Sequence, residues 1–243
     1  MISLAVAYEE SQQPEASLLA QELNLPLLPL GSTDAGFLLV LTQARLELRE
    51  VGSKTGPVFV DFSVGRRGKD PLLRAVGVKG DICPKVVDAT AGLGQDALAL
   101  ARAGCQVRLV ERSPIIAALL ADGLERARSM PETQEVTDRL TLINADTTPW
   151  LHTLEDTARP DVVYLDPMYP ASGKSAAKNK EMRFFRDIVG ADSDADTLLE
   201  AARAVSRRRV VVKRPLKAPF LGDQRPSSSL TGKTTRFDLY VVG

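Results

Sequence analysis

The sequence predicts an α/β fold: a mostly parallel sheet covered by helices on both faces, closed by an antiparallel C-terminal hairpin and preceded by a small α+β region. Three observations carry this. From about residue 84, short Val/Leu-rich runs alternate with helix-patterned segments, as parallel crossovers require. The runs are almost continuously apolar, the pattern of strands buried on both sides. The last run, SSLTGKTTRFDLYVV, is two strand-like stretches about a Gly-Lys turn.

The elements follow in order. In residues 1–80, ISLAVAY, FLLVLT, RLELREV and VFVDFSV read as strands, broken by PLLPLGSTDAG and VGSKTGP, with PEASLLAQEL a helix between the first two. In residues 81–243, KVVDAT is a strand and GQDALALARAG a helix stopped at Gly104. CQVRLVE is the next strand, and PIIAALLADGLERARS a helix with Pro114 in its first turn. LTLINAD, DVVYLDP and RRRVVVKRP supply three more strands, with ADTLLEAARAVS a helix before the last. Right-handed crossovers bring the carboxyl ends of the parallel strands to one edge, where ligands bind.

Composition narrows the class. Of 243 residues, 44% are hydrophobic and 26% charged, enough apolar content for a packed core. No apolar run approaches the roughly 20 residues that span a bilayer, and MISLAVAYEESQQ lacks a basic start and cleavable core. The two cysteines, Cys83 and Cys105, are too far apart for a metal knuckle and fit reduced thiols. A cytoplasmic protein with neither membrane nor metal is expected. Net charge is zero, but Arg207 onward carries nine basic residues against two acidic, and ASGKSAAKNKEMRFFR carries five against one. Local potential, not net charge, attracts phosphate.

VVDATAGLGQDALALA is strand, glycine-rich turn and helix. Gly92 and Gly94 permit a sharp turn and close approach to a ligand. Gly92-x-Gly94-x-x-Ala97 matches the dinucleotide fingerprint, with Glu111 where a ribose-binding acid belongs. Two features favour S-adenosyl-L-methionine over a nicotinamide dinucleotide. Asp88 and Asp96 flank the turn and would repel a pyrophosphate, whereas Asp88 suits the cationic amino acid end of that methyl donor. Acids also end successive strands: Glu111 suits the ribose hydroxyls, Asp146 the adenine amino group, and Asp166 ends a further strand.

Asp166-Pro167-Met168-Tyr169 is similar to the Asp/Asn-Pro-Pro-aromatic motif of amino-directed methyltransferases, with Met168 replacing the second proline. An exocyclic base amine is a poor nucleophile because its lone pair is delocalised into the ring. A carboxylate accepting one N–H and the Pro167 carbonyl accepting the other favour a more tetrahedral nitrogen aimed at the sulfonium methyl. Proline stiffens this loop. Tyr169 would stack on the base, worth ~1–3 kcal/mol.

DATAGLGQDA, LVERSP, LLADGLERA, VVYLDPMYP, KSAAKNKEM, RVVVKRP and TGKTTRFDLY together resemble the bacterial small-subunit ribosomal RNA guanine-N2 methyltransferase family known as RsmJ, over residues 58–241. The resemblance implies a Rossmann-like class I methyltransferase that methylates the 2-amino group of one guanosine near the 3′ end of 16S rRNA. It also implies cofactor contacts at Gln95, Asp96, Glu111, Arg112, Asp146, Thr147 and Asp166. The family usually has Arg where this chain has Gln95, and a longer Arg/Gly stretch with a His where this chain has only Arg66, Arg67 and Lys69.

The basic residues agree with an RNA partner, either 16S rRNA or the 30S subunit. Lys174, Lys178, Lys180 and Arg183 follow the motif directly, Lys213 and Arg214 finish RVVVKRP, and Lys233 and Arg236 lie near the hairpin. Arg66 and Arg67 belong to the upstream segment. Competing readings are an amino methyltransferase of DNA or of a protein glutamine, a nicotinamide oxidoreductase, and a non-catalytic RNA-binding relative. The lone histidine, His152, and Trp150 are not expected to act in catalysis, and the oligomeric state stays open.

Overall fold

In the computed structural model of the chain, residues 3–54, 56–63, 71–168 and 195–242 are described. The N-terminal part is a three-stranded sheet of β1 (Leu4–Tyr8), β2 (Phe37–Leu41) and β3 (Leu46–Glu50), with helix α1 (Gln13–Glu22) between the first two. That helix is the crossover that lets β1 run parallel to β2, whereas the short turn after β2 makes β3 antiparallel. The expected fourth strand, VFVDFSV, does not form in its described part: only Val58 bridges, to Leu48. Val58, Val60 and Phe62 are instead buried in the main core, where packing on helices replaces a ladder.

The main sheet has seven strands: β4 (Val86–Asp88), β5 (Val107–Glu111), β6 (Leu140–Asn144), β7 (Val162–Leu165), β8 (Arg209–Pro215), β9 (Ser228–Thr231) and β10 (Thr235–Val241). Their spatial order is β6-β5-β4-β7-β8-β10-β9. Strands β4 to β8 run parallel, and β10 inserts antiparallel between β8 and β9. The chain builds outward from β4 to β6, then returns to lay β7 on the other side of β4. That reversal opens a crevice beyond the carboxyl ends of β4 and β7.

Helices α2 (Pro71–Val76), α3 (Gln95–Arg102), α4 (Pro114–Arg128), α5 (Pro131–Thr137), α6 (Thr147–His152) and α7 (Ala195–Val205) cover the sheet. Alternation divides the strands between two cores. Val86, Leu109, Tyr164, Val211 and Leu239 pack with Leu98, Ile116, Leu119 and Leu120 of α3 and α4. Val87, Val110, Val163, Val210 and Tyr240 pack with Leu151 of α6 and Leu198, Leu199 and Ala202 of α7. Each such Leu or Ile contributes about 1.5–3 kcal/mol by leaving water.

Helix α4 starts where the sequence places it: Ser113 Oγ accepts from Ile116 N–H at 3.5 Å, with Pro114 next. Helix α3 gives way at Gly104, whose φ of +97° suits a residue without a Cβ. Residues 1–80 and the sheet share the first core, since Leu39, Leu48, Val60, Phe62 and Leu72 belong to it. Leu46 N–H donates to Asp122 Oδ1 at 3.0 Å, and an Arg126 N–H donates to the Val60 carbonyl, so α4 carries both parts. Cys105 is buried and Cys83 partly so, both as free thiols. Burial and the neighbouring Cys83 push the Cys105 thiol up to about 12, which keeps it protonated and inert.

Candidate active site

The crevice is lined by one face of the sheet. The register pairs Asp88 with Tyr164 and Tyr164 with Val211. With a side-chain period of two, Asp166 and Lys213 lie one step further along that face, beside each other. The core-facing side of the strands, with Val86 level with Val162 and Val211 level with Tyr164, therefore ends in Asp88, Asp166 and Lys213.

Asp88 is 1% exposed. Its Oδ1 accepts the Thr90 N–H at 3.3 Å. Burial first, then the charges of Asp96 and Asp166, raise its pKa well above the usual carboxylate value, against the smaller pull of Thr90 and Lys213. Tyr164 is likewise buried among Asp166, Asp96 and Asp88, which keep its hydroxyl protonated as the donor to Asp96 Oδ2 at 2.6 Å. Lys213 Nζ meets Asp96 Oδ2 at 2.7 Å and Asp166 Oδ2 at 2.9 Å. Burial alone would lower the lysine pKa, but the two carboxylates outweigh it and hold the ammonium above its ordinary range.

The glycine turn is tied to β5 by Glu111. One carboxylate oxygen accepts Gly92 N–H at 3.0 Å and the other Ser113 N–H at 2.8 Å. Each carboxylate oxygen has two lone pairs, which suits Glu111 to accepting more than one donor. Gly92 and Gly94 both have positive φ, +53° and +72°. A Cβ on Gly92 would meet nothing nearer than Thr90 O at 4.0 Å, leaving open space beside the turn. A Cβ on Gly94 would press on Leu120 and Phe62 at 3.0 Å, so this glycine also seats the helix start on the core.

Gln95 is exposed at the first position of α3, and Arg112 is half-buried just after β5. Asp146 is exposed and caps α6, its Oδ1 accepting Thr148 N–H at 3.1 Å. Thr147 turns inward and donates to the Ala89 carbonyl at 2.9 Å, which ties α6 to the end of β4. Asp166 donates its backbone N–H to Thr90 Oγ1 at 2.7 Å. Its side chain is 40% exposed, against 11% for Asp96, so of these two carboxylates it is the one that faces the crevice. Pro167 is buried beside it. Tyr169, Lys174, Lys178, Lys180, Arg183, Arg66 and Arg67 lie outside the described residues.

Three of the residues expected at phosphates have protein partners in the fold. Lys213 is committed to Asp96 and Asp166. Arg214 is 4% exposed and donates to the Pro219 carbonyl at 3.1 Å. Arg236 is 8% exposed, pairs with Asp238 at 2.9 Å, and donates to the carbonyls of Pro215 and Leu216. Opposed across β8 and β10, these two arginines fasten the segment after β8 rather than standing free for RNA. Lys233 is exposed in the β9–β10 turn on the crevice edge. Tyr164 and Thr90 were not singled out from the sequence. Alternation in VVYLD, which sets Tyr164 on the Asp166 face, is the signal that finds the first.

A parallel sheet extended by an antiparallel hairpin, a glycine turn after β4 and a buried acid beside it define a class I S-adenosylmethionine-dependent methyltransferase. A family model described as "Putative SAM-dependent methyltransferase" matches residues 19–242. The chain is 48% identical over 256 residues to Ribosomal RNA small subunit methyltransferase J of Nitrosococcus oceani, covering 100% of both. It is 46% identical over 251 residues to the protein of the same name in Coxiella burnetii, covering 99% of this chain and 97% of the other. The crystal structure of a SAM-dependent methyltransferase from Neisseria gonorrhoeae superposes with a TM-score of 0.78 at 36% identity, covering 98% of this chain and 95% of that one. The chain belongs to the ribosomal RNA small subunit methyltransferase J family.

The residues present fit the methyl donor. Asp88 offers a buried counter-charge for an α-ammonium group, Glu111 a carboxylate at the end of β5 of the kind that accepts from ribose hydroxyls, and Gly92 an approach without a side chain. Among the described residues no group of three or more His, Cys, Asp or Glu could hold a metal, and no helix is long and apolar enough to cross a membrane.

Proposed function

We propose that this protein transfers a methyl group from S-adenosylmethionine to the exocyclic N2 of one guanosine near the 3′ end of 16S rRNA, in the cytoplasm. The observation that carries the reading is Asp166: a partly exposed carboxylate at the end of β7, at the reversal point of the sheet, anchored through its backbone to Thr90. The full-length likeness to small-subunit rRNA methyltransferases supports the substrate.

The bound cofactor supplies an electrophilic methyl on a sulfonium. Asp88 orients its amino acid end, and Glu111 and Asp146 take the ribose and adenine. Asp166 accepts one N–H of the target amine and the Pro167 carbonyl the other, which places the nitrogen lone pair toward the methyl. Transfer leaves the nitrogen positive and acidic, so its proton passes to Asp166 afterwards. Catalysis is then mostly alignment, where a displacement of about 1 Å costs roughly 10²-fold. Tyr169 stacks on the extruded base, while Lys174, Lys178, Lys180, Arg183, Arg66, Arg67 and Lys233 hold its phosphates. We assign the methyltransferase domain to residues 81–243 and a substrate-docking role to residues 1–80, which share a core with it.

Asp166→Ala tests the reading. Methyl transfer to small-subunit rRNA should fall at least about 10³-fold while the melting transition and cofactor binding stay near wild type. Substantial turnover in this variant would remove Asp166 from its role.

A further inference from the structure

Lys213 enters the crevice from β8, on the strand face that carries Tyr164 and Asp166. Its side chain is 18% exposed, and its ammonium bridges Asp96 of α3 and Asp166 beyond β7. The bridge is held from behind, because the Tyr164 hydroxyl donates to the same oxygen of Asp96. A lysine so engaged would have to leave two carboxylates to reach an RNA phosphate. The phosphate role suggested by its place among basic residues therefore does not fit its geometry.

We propose that Lys213 is a positioning residue for methyl transfer, its ammonium fixing the Asp166 carboxylate in the orientation that accepts the N–H of the target amine. The proposal rests on the role given to Asp166 above. A carboxylate beyond a strand end turns about two side-chain bonds, and the hydrogen bond from its backbone N–H to Thr90 leaves both bonds unconstrained. The contact from Lys213 to Oδ2 constrains them. Asp96 and Tyr164 in turn fix Lys213, so the chain Tyr164–Asp96–Lys213–Asp166 carries rigidity from the buried strand to the reacting carboxylate. Charge points the same way. Asp88, Asp96 and Asp166 bring three carboxylates to one end of the crevice, and Lys213 is paired with two of them. A partly buried, doubly paired cation of this kind is worth more than a surface ion pair, and its loss removes a positive charge from between two close carboxylates.

Lysine suits the position because its compact ammonium presents several donors at one point, whereas an arginine fork is planar and bulkier. Lys213→Met keeps most of the stem and removes the charge. Lys213→Arg keeps the charge and displaces it.

The test is steady-state methyl transfer to small-subunit rRNA by wild type, Lys213→Met and Lys213→Arg, with cofactor binding and melting measured on each. In Lys213→Met, kcat should fall about 10²-fold, the loss typical of one misaligned catalytic group, with the cofactor KM changed less than about threefold. Lys213→Arg should recover about a tenth of wild-type kcat, a partial rescue that loss of stability would not produce. A kcat in Lys213→Met within about threefold of wild type would overturn the proposal, as would a loss confined to cofactor KM. Should Lys213→Met fail to fold, Lys213→Arg decides alone: unchanged kcat overturns the proposal, and a roughly tenfold loss at constant cofactor KM supports it. An NMR arm on the ¹⁵N-lysine-labelled protein needs no substrate. A slowly exchanging Lys213 ammonium signal that weakens in Asp166→Asn supports the bridge, and its absence from wild type overturns it. Wild type inactive on rRNA would refute the substrate reading and leave the NMR arm to judge the bridge.

Discussion

Replacing Gly94 with alanine perturbs the glycine turn after β4 in a way the structure quantifies. At φ +72° an L-residue pays the left-handed penalty, about 1–2 kcal/mol. The added Cβ would also stand 3.0 Å from Leu120 Cδ2 and from Phe62 Cζ, tighter than ordinary contact. Those side-chain ends must give way inside a filled core, at about 1–2 kcal/mol. The sum is about 2–4 kcal/mol, or roughly 5–15 °C in Tm for a chain of this size. Gly92→Ala separates the two contributions. Its φ of +53° carries a similar backbone penalty, but the nearest atom to its Cβ is 4.0 Å away, so a loss of about 1–2 kcal/mol is expected. Urea unfolding of both variants gives the comparison. Phe62→Leu should cost less in the Gly94→Ala background than alone, the sign of a shared contact. Equal losses in both glycine variants, or additive behaviour with Phe62→Leu, would refute the packing argument.

Three further outcomes are expected. Gly123→Ala should destabilise despite better helix propensity, because its Cβ would stand 2.4 Å from Val60 Cγ1; a loss of about 1–3 kcal/mol by denaturant unfolding, relieved by Val60→Ala, checks it. Asp88 has a raised pKa in the fold, so without cofactor its contribution to stability is present below the unfolded value of 3.8 and lost as pH rises through the raised value. Asp88→Asn should therefore stabilise the cofactor-free protein at neutral pH, with a gain that shrinks toward acid, while calorimetry shows weaker cofactor binding. If Asp88 pairs with the cofactor ammonium as proposed, wild-type affinity should fall as pH drops and that carboxylate becomes neutral. Arg236→Ala leaves Asp238, 0% exposed, without its ion-pair partner and should cost about 3–5 kcal/mol in chemical unfolding, with the end of β8 loosened.

The sheet was legible because its strands are apolar runs with acids at their ends, and the parallel order follows from the alternation with helices. What escaped has physical reasons. Helix α5, PETQEVT, has no apolar stripe, and α2 and α6 are only six residues each, so periodicity is weak. VFVDFSV alternates like a strand, yet its described apolar residues pack on α3 and α4, where tertiary contact overrides propensity. In the site, the glycines, Asp88, Glu111 and Asp166 were readable as single residues. The bridge from Tyr164 through Asp96 to Lys213 was not, since it joins positions 68 and 117 apart that only the folded chain brings together. The burial of Arg214 and Arg236 was not legible, because a charged residue type suggests solvent, whereas here both guanidinium groups donate to backbone carbonyls and Arg236 pairs with Asp238.

The most direct test of the central claim is transfer of labelled methyl from S-adenosylmethionine to naked 16S rRNA and to 30S particles from cells lacking this protein, with the product mapped by nuclease fragments and nucleoside analysis. Label is expected as N2-methylguanosine at one position in the 3′ region of 16S rRNA, and the better acceptor reports whether the enzyme acts before or after assembly. No label in either acceptor, from protein that still binds the cofactor, would contradict that claim.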